Sequence, residues 1–173
     1  MALTVPSATL AVTYSYSRGN QFDMMTVNNT KFAIFKKPLQ NSDQSQDLTL
    51  AADCHCVFLA SMEAEHDITI TAVNILALGS FHAKTGTIHI QAENFYGLGI
   101  EATGDMFIQT DGDTIVSSTT DDKLYVDAGG FIELGLTAQM RDIAIEIKTI
   151  FSQGIDDTNG LQFAQILLTG MHI

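Results

Sequence analysis

The densest run of potential ligands in this 173-residue chain is Asp53, Cys54, His55 and Cys56. Thiolates beside an imidazole suit zinc or copper. A second ligand pair at finger spacing is missing, so buried or edge thiols account for the cysteines and no bound metal is expected. The two cysteines are one residue apart, and on a strand such side chains point the same way, where a bridge would strain its geometry. A disulfide framework is therefore not expected. The histidines, His55, His66, His82, His89 and His172, share no repeated position and read as solvated polar residues.

Carboxylates gather at two kinds of place. Asp47, Asp67, Asp105 and Asp142 begin apolar segments, whereas Asp111, Asp113, Asp121 and Asp122 fall between them. Calcium bridging Asp111 with Asp113, or Asp121 with Asp122, is one reading of the second group, because hard cations take several oxygen ligands. The other is turn chemistry, in which Asp bonds its own backbone. The glycine-rich nonapeptide of a calcium-binding β-roll is missing. Paired acids could also cleave a polysaccharide, but no pair is placed by spacing alone. The patterns GxSxG, HExxH and GxxxxGK[ST] do not occur, so the common hydrolase, metalloprotease and phosphate-loop signatures are missing. The chain reads as non-enzymatic and free of cofactors.

Composition narrows the field further. Apolar residues make up 46% and charged residues 16%, which is the balance of a chain that packs. Twenty acidic against eight basic residues give a net charge of −12, which repels phosphate backbones and anionic membranes. No nucleic-acid partner is expected. Apolar runs such as Val73 to Leu78 are far shorter than a membrane span of roughly 20 residues, so no membrane insertion is expected either. Met1 to Tyr16 lacks the basic start and long apolar centre of a secretory signal, and the chain reads as soluble.

Internal repetition supplies the architecture. DLTLAAD from Asp47, DITITAV from Asp67, TIHIQAE from Thr87, DMFIQTD from Asp105 and KLYVDAG from Lys123 follow one another at 20, 20, 18 and 18 residues. Aligned, they set Leu48, Ile68, Ile88, Met106 and Leu124 in one apolar column and Leu50, Ile70, Ile90, Ile108 and Val126 in the next. Ala52, Ala72, Ala92, Thr110 and Ala128 close the strand. Strict alternation means one buried face. A turn column follows at Cys54, Asn74, Asn94, Gly112 and Gly130, then a second strand with Phe58, Leu78, Leu98, Val116 and Leu134 aligned. Gly79, Gly99 and Gly135 recur just beyond, where the chain bends or admits a neighbour. Asp142 opens a sixth partial coil through Ile143, Ile145 and Ile147.

Two strands every 18–20 residues cannot bury an apolar face alone, but stacked coils can. The expected fold is all-β: a solenoid of about six coils with two strands each, a rise of about 4.8 Å per coil and a length of roughly 25–30 Å. Period-two spacing excludes a helical array, and fixed offsets over five copies argue against a sandwich. A hexapeptide left-handed helix fails because stepping by six from Ile88 meets Asn94, Gly112, Ser118 and Gly130.

The division expected is a strand-containing cap or docking segment over residues 1–46, with strand-like stretches Thr9 to Tyr16 and Lys31 to Phe35 and a polar linker from Gln40 to Gln46. The solenoid follows over 47–149, and a cap or oligomerisation segment over 150–173. Residues Leu161 to Ile173 are almost uncharged and must be covered by their own fold or by another subunit.

The segments DLTLAAD, DITITAV and KLYVDAGGFIELGLTA resemble the repeats of β-helical spike proteins of contractile injection systems and phage tails, and those of filamentous-haemagglutinin-type adhesins. The resemblance spans residues 47–147 and implies a structural role. Spikes are trimers on a tail tube, in contact with other spike and baseplate components, whereas adhesins are long secreted surface proteins. The chain is accordingly expected to associate with itself as a spike or filament subunit, in an extracellular, virion or injection-device setting. The alternative is a surface adhesin or carbohydrate- or host-protein-binding module, and a β-helix enzyme ranks below both. The outward column Thr49, Thr69, His89, Phe107 and Tyr125 turns from polar to aromatic along the rod. Phe107 and Tyr125, with Leu161, Phe163, Leu167 and Leu168, are the candidate oligomer contacts.

Overall fold

The computed structural model describes residues 13–42, 44–119 and 122–170. The chain is a β-solenoid of about five turns. It opens on β1 (Tyr14–Ser17), β2 (Asp23–Val27), β3 (Thr30–Phe35) and β4 (Leu39–Gln40). The first full coil is β5 (Leu48–Ala51), β6 (Cys56–Leu59) and β7 (Met62–Ala64), and the second is β8 (Ile68–Thr71), β9 (Asn74–Ala77) and β10 (Ser80–Ala83). The third consists of β11 (Ile88–Ala92) and β12 (Asn94–Thr103), and the fourth of β13 (Met106–Thr110) and β14 (Thr114–Thr119). The last is β15 (Leu124–Ala128) and β16 (Ile132–Leu134). Then come α1 (Ala138–Gln153) and α2 (Gly160–Gln165), which continues as a wider π-helical turn over Ile166–Gly170.

The earlier coils carry three strand positions, one more than expected, and the last two carry two strands each. The first sheet stacks β5, β8, β11, β13 and β15, all parallel. The second stacks β3, β6, β9, the first half of β12, β14 and β16. The third stacks β4, β7, β10 and the second half of β12, whose Glu101 lies beside Thr119 of β14. Glycines mark the corner between the second and third sheets. A Cβ at Gly79 would collide with the carbonyl oxygen of Ala60, and Gly99 sits at φ +69° where the β12–β14 register shifts. There the chain turns and the next strand begins, which is why the glycines recur.

The first-sheet columns hold residue for residue: Leu48, Ile68, Ile88, Met106 and Leu124 are successive partners, as are Leu50, Ile70, Ile90, Ile108 and Val126. The later columns shift. Asn74 and Asn94 stack as expected, but their neighbours in the ladder are Cys56, Asp113 and Phe131 rather than Cys54, Gly112 and Gly130. Three positions on, Leu59, Ala77, Gly97, Val116 and Leu134 form a column in place of one through Phe58, Leu78 and Leu98. The turns between first and second sheets differ by one or two residues from coil to coil, and the slip follows.

Two cores result. Inside the solenoid, Phe35, Met62, Phe81, Phe95 and Met106 fill the space between the isoleucine columns. Outside the second sheet, Phe32, Ile34, Phe58, Leu76, Leu98 and Ile115 meet Ala144, Ile147 and Ile150 of α1 and Phe163, Ala164 and Leu167 beyond it. Strands buried on both faces need apolar residues at every position, and β6 and β9 are buried throughout.

The expected sixth coil is therefore absent, since residues 138–153 are helical. Thr137 caps α1 by accepting a bond from the Met140 amide at 3.2 Å, and Gly154 ends it at φ +90°. Ile147 is buried, but Ile145 is 62% exposed, so the alternating isoleucines divide between the two faces of the helix. The opening segment is more than a cap, because β3 pairs in parallel with β6 and β2 and β1 extend that sheet antiparallel. The expected strand from Thr9 lies outside the described residues as far as Val12.

Candidate functional site at the last coil

Three of the four aspartates expected at strand starts hold one coil to the next, whereas Asp142 lies in α1. Asp47 accepts a bond from the Asp67 amide at 2.9 Å, Asp67 from Thr87 at 2.9 Å, and Asp105 from Lys123 at 3.0 Å. Each carboxylate thus ties its coil to the next. Asp113 does the same for Phe131 at 3.0 Å and Asp122 for Gly104 at 2.7 Å, so those loop acids are engaged in backbone bonds. Asp121 lies outside the described residues. Beside the acidic column, Asn74 Nδ2 donates to the His55 carbonyl, Asn94 Nδ2 donates to Asn74 Oδ1, and Asn94 Oδ1 accepts from the Asp113 amide. This polar ladder satisfies the turn between the first two sheets.

Asp47, His66 and Asp67 form a cluster of exposed ligand-type groups, with His66 Nδ1 3.1 Å from Asp47 and 3.5 Å from Asp67. The bonds from the Asp67 amide and from His66 hold the Asp47 carboxyl below its ordinary range. The run at Cys54 to Cys56 does not converge on one point. Cys54 packs against the interior cluster and Cys56 lies within the outer one. Burial pushes both thiols up, Cys56 most, which disfavours the thiolates a metal would need. His82 bonds Thr103, His55 lies edge-on to Phe32, and His172 falls outside the described residues.

Near the opening hairpin, Asp23 is fully buried and meets Lys36 Nζ at 2.6 Å, the Tyr16 hydroxyl and the Gly19 amide. Burial alone would raise its carboxyl, but these three donors outweigh it and hold the group below its ordinary range. The Tyr16 hydroxyl oxygen also lies 3.1 Å from the Ile155 carbonyl oxygen, which sets the hairpin against the helical segment.

The outward aromatic column is as expected. His89 stacks on Phe107 at 5.1 Å and 9°, and Phe107 on Tyr125 at 4.7 Å and 8°. A shallow groove of about 660 Å³ runs along this face, floored by the Thr71, Gln91, Gln109 and Asp127 row beside the aromatic one. The inner ring faces are taken by each other. Tyr125, on the last strand of the sheet, has no further ring stacked on it among the described residues.

That last coil is where the fold stops short of covering itself. Among the described residues, β15 pairs with β13 alone and β16 with β14 alone. Of eight exposed large apolar side chains among the described residues, five sit on the last two coils: Phe107, Tyr125, Phe131, Ile132 and Leu134, the last 70% exposed. Leu124 and Leu134 flank a cleft of about 230 Å³ opening onto Val116, where the interior core meets solvent.

The other expected contacts divide. Phe163 and Leu167 are fully buried against the second sheet of their own chain, Phe163 edge-on to Phe58 at 5.3 Å, so they cannot also face another subunit. Leu161 is half-buried and Leu168 exposed on the helical surface. Phe131, Ile132 and Leu134 are exposed apolar residues that the sequence reading did not single out as contacts. They follow the last complete repeat, and among the described residues no later coil lies beyond them. Among the described residues, no helix is long and apolar enough to cross a membrane. Comparisons with protein families, with curated proteins and with solved structures find no match.

Proposed function

We propose that the chain is a non-enzymatic structural subunit, a rigid β-solenoid that associates with copies of itself through its last coil. One observation carries this reading: among the described residues, unpaired parallel strand edges and a concentration of exposed large apolar side chains coincide at that coil. An open edge of this kind is a template for another chain, and exposed patches of this kind mark interaction surfaces. The opposite end is treated differently, being extended by the β1–β2 hairpin.

The groove on the first sheet favours a second reading, a surface-binding module for an extended ligand such as a glycan. It ranks lower because the stack turns the inner ring faces of His89 and Tyr125, and both faces of Phe107, toward one another rather than toward the groove. Sedimentation velocity over a wide concentration range separates the two. Self-association that weakens on Leu134→Lys supports the structural reading, and a monomer throughout removes it.

A further inference from the structure

We propose that a second copy of this chain docks on the last coil about a two-fold axis through Tyr125, with β15 pairing antiparallel to β15 of that copy. The inference rests on the self-association proposed above and names its partner and register. Along β15, Tyr125 and Asp127 are exposed on the outer face and Leu124 and Val126 are half-buried, pointing inward. Lys123, exposed, precedes Leu124 and shares the outward parity of Tyr125. An antiparallel register centred on Tyr125 sets Lys123 opposite Asp127 of the second copy, and Asp127 opposite its Lys123. Inside, Leu124 meets Val126 of the second copy, and the reciprocal pair follows by symmetry.

The edge is therefore complementary to itself in charge, size and polarity, as an isologous contact requires. A lysine on a strand edge normally discourages pairing. Here each lysine is answered by an aspartate, so the same residue that repels an arbitrary strand admits this one. The two tyrosines meet at the axis, on the ring face against which no other ring stacks among the described residues. The rotation also sets β16 of each copy, with its exposed Ile132 and Leu134, over the partner's third sheet.

Head-to-tail growth is obstructed by the other end. The first sheet begins at β5, level with β6, but the second continues through β3, β2 and β1. Three strand spacings put β1 about 14 Å beyond the edge of β5. A last coil whose β15 and β16 lie at one level cannot reach past that step. The contact closes at two copies.

Three measurements on the full chain test this. In sedimentation velocity the wild type forms a dimer. Lys123→Asp and Asp127→Lys each turn two attractive pairs into two like-charge pairs and weaken the dimer at least about tenfold. The double variant Lys123→Asp with Asp127→Lys restores it, a rescue that only this register supplies. Under mild oxidation Tyr125→Cys gives a covalent dimer on a non-reducing gel, and Thr49→Cys, on the first strand of the same column, does not. A monomer at every concentration overturns both the self-association and this contact. A trimer or a growing fibre leaves the self-association standing and overturns the two-fold contact. A dimer indifferent to the single charge swaps, or not rescued by the double one, overturns the register.

Discussion

Replacing Phe163 by alanine separates a side chain that folds its own chain from one that joins two. Phe163 is fully buried, packs edge-on to Phe58 at 5.3 Å and sits among Ala164, Leu167, Ile147 and Ile150. Truncating a buried phenylalanine costs about 3–5 kcal/mol through lost transfer energy and the cavity left behind. The edge-on pair adds specificity worth about 0.5–1.5 kcal/mol within that cost. Against a domain stability of about 5–15 kcal/mol, the loss is large but leaves a folded population. It should also be local, because the solenoid has its own interior core and coils interact chiefly with their neighbours. Urea unfolding followed by circular dichroism should show the helical signal lost first, well below the wild-type midpoint. Amide exchange should accelerate in residues 138–170 before it does in β8 or β11. Leu168→Ala, on the exposed side of the same segment, should shift the midpoint by less than about 0.5 kcal/mol. An unchanged midpoint for Phe163→Ala, accompanied by a lower sedimentation mass, would refute the reasoning, since it would make Phe163 an intersubunit contact after all.

Two further perturbations address the supports of the fold. Lys36→Met leaves Asp23 buried without its cation and should cost about 2–3 kcal/mol, less than a fully buried pair because Lys36 is one-third exposed and Tyr16 and Gly19 still donate. The Asp23 carboxyl is held below its ordinary range in the folded chain, so its contribution is complete above that range and fades as pH falls through the depressed value. The gap between wild type and variant should accordingly be widest near neutrality and close in acid, as measured by urea midpoints across pH. Gly79→Ala should destabilise by more than about 2 kcal/mol, because its Cβ meets the Ala60 carbonyl oxygen rather than a movable side chain. Gly112→Ala meets the Asn94 side-chain oxygen and should be milder.

The repeat was legible because one sheet has a wet outer face. In β11 and β13 buried and exposed residues alternate strictly, so the columns Leu48 to Leu124 and Leu50 to Val126 stand out at the right register. The outward Phe107–Tyr125 stack was legible for the same reason. The second sheet gave no such signal. CVFL and NILA are buried at every position, and without alternation nothing distinguishes a register from the one beside it. The third strand was hidden as well, because β12 runs through the corner without a break and Gly99 reads as a weak point in one strand.

The local order of the chain, its period, the identity of its inward columns, its turn aspartates and asparagines and its corner glycines, was written in residue types that each satisfy a nearest-neighbour demand. Thr137 and Gly154 belong with them, since caps are local and could have marked α1 against the misleading Ile143, Ile145 and Ile147 alternation. What only the tertiary structure decided is which surfaces cover which. Apolar residues from 161 onward had to be buried somewhere, but hydrophobic burial is non-directional. It took the packing of α1 and α2 over the second sheet to assign Phe163 and Leu167 to the chain itself. The same packing left the last coil as the place where paired strands run out.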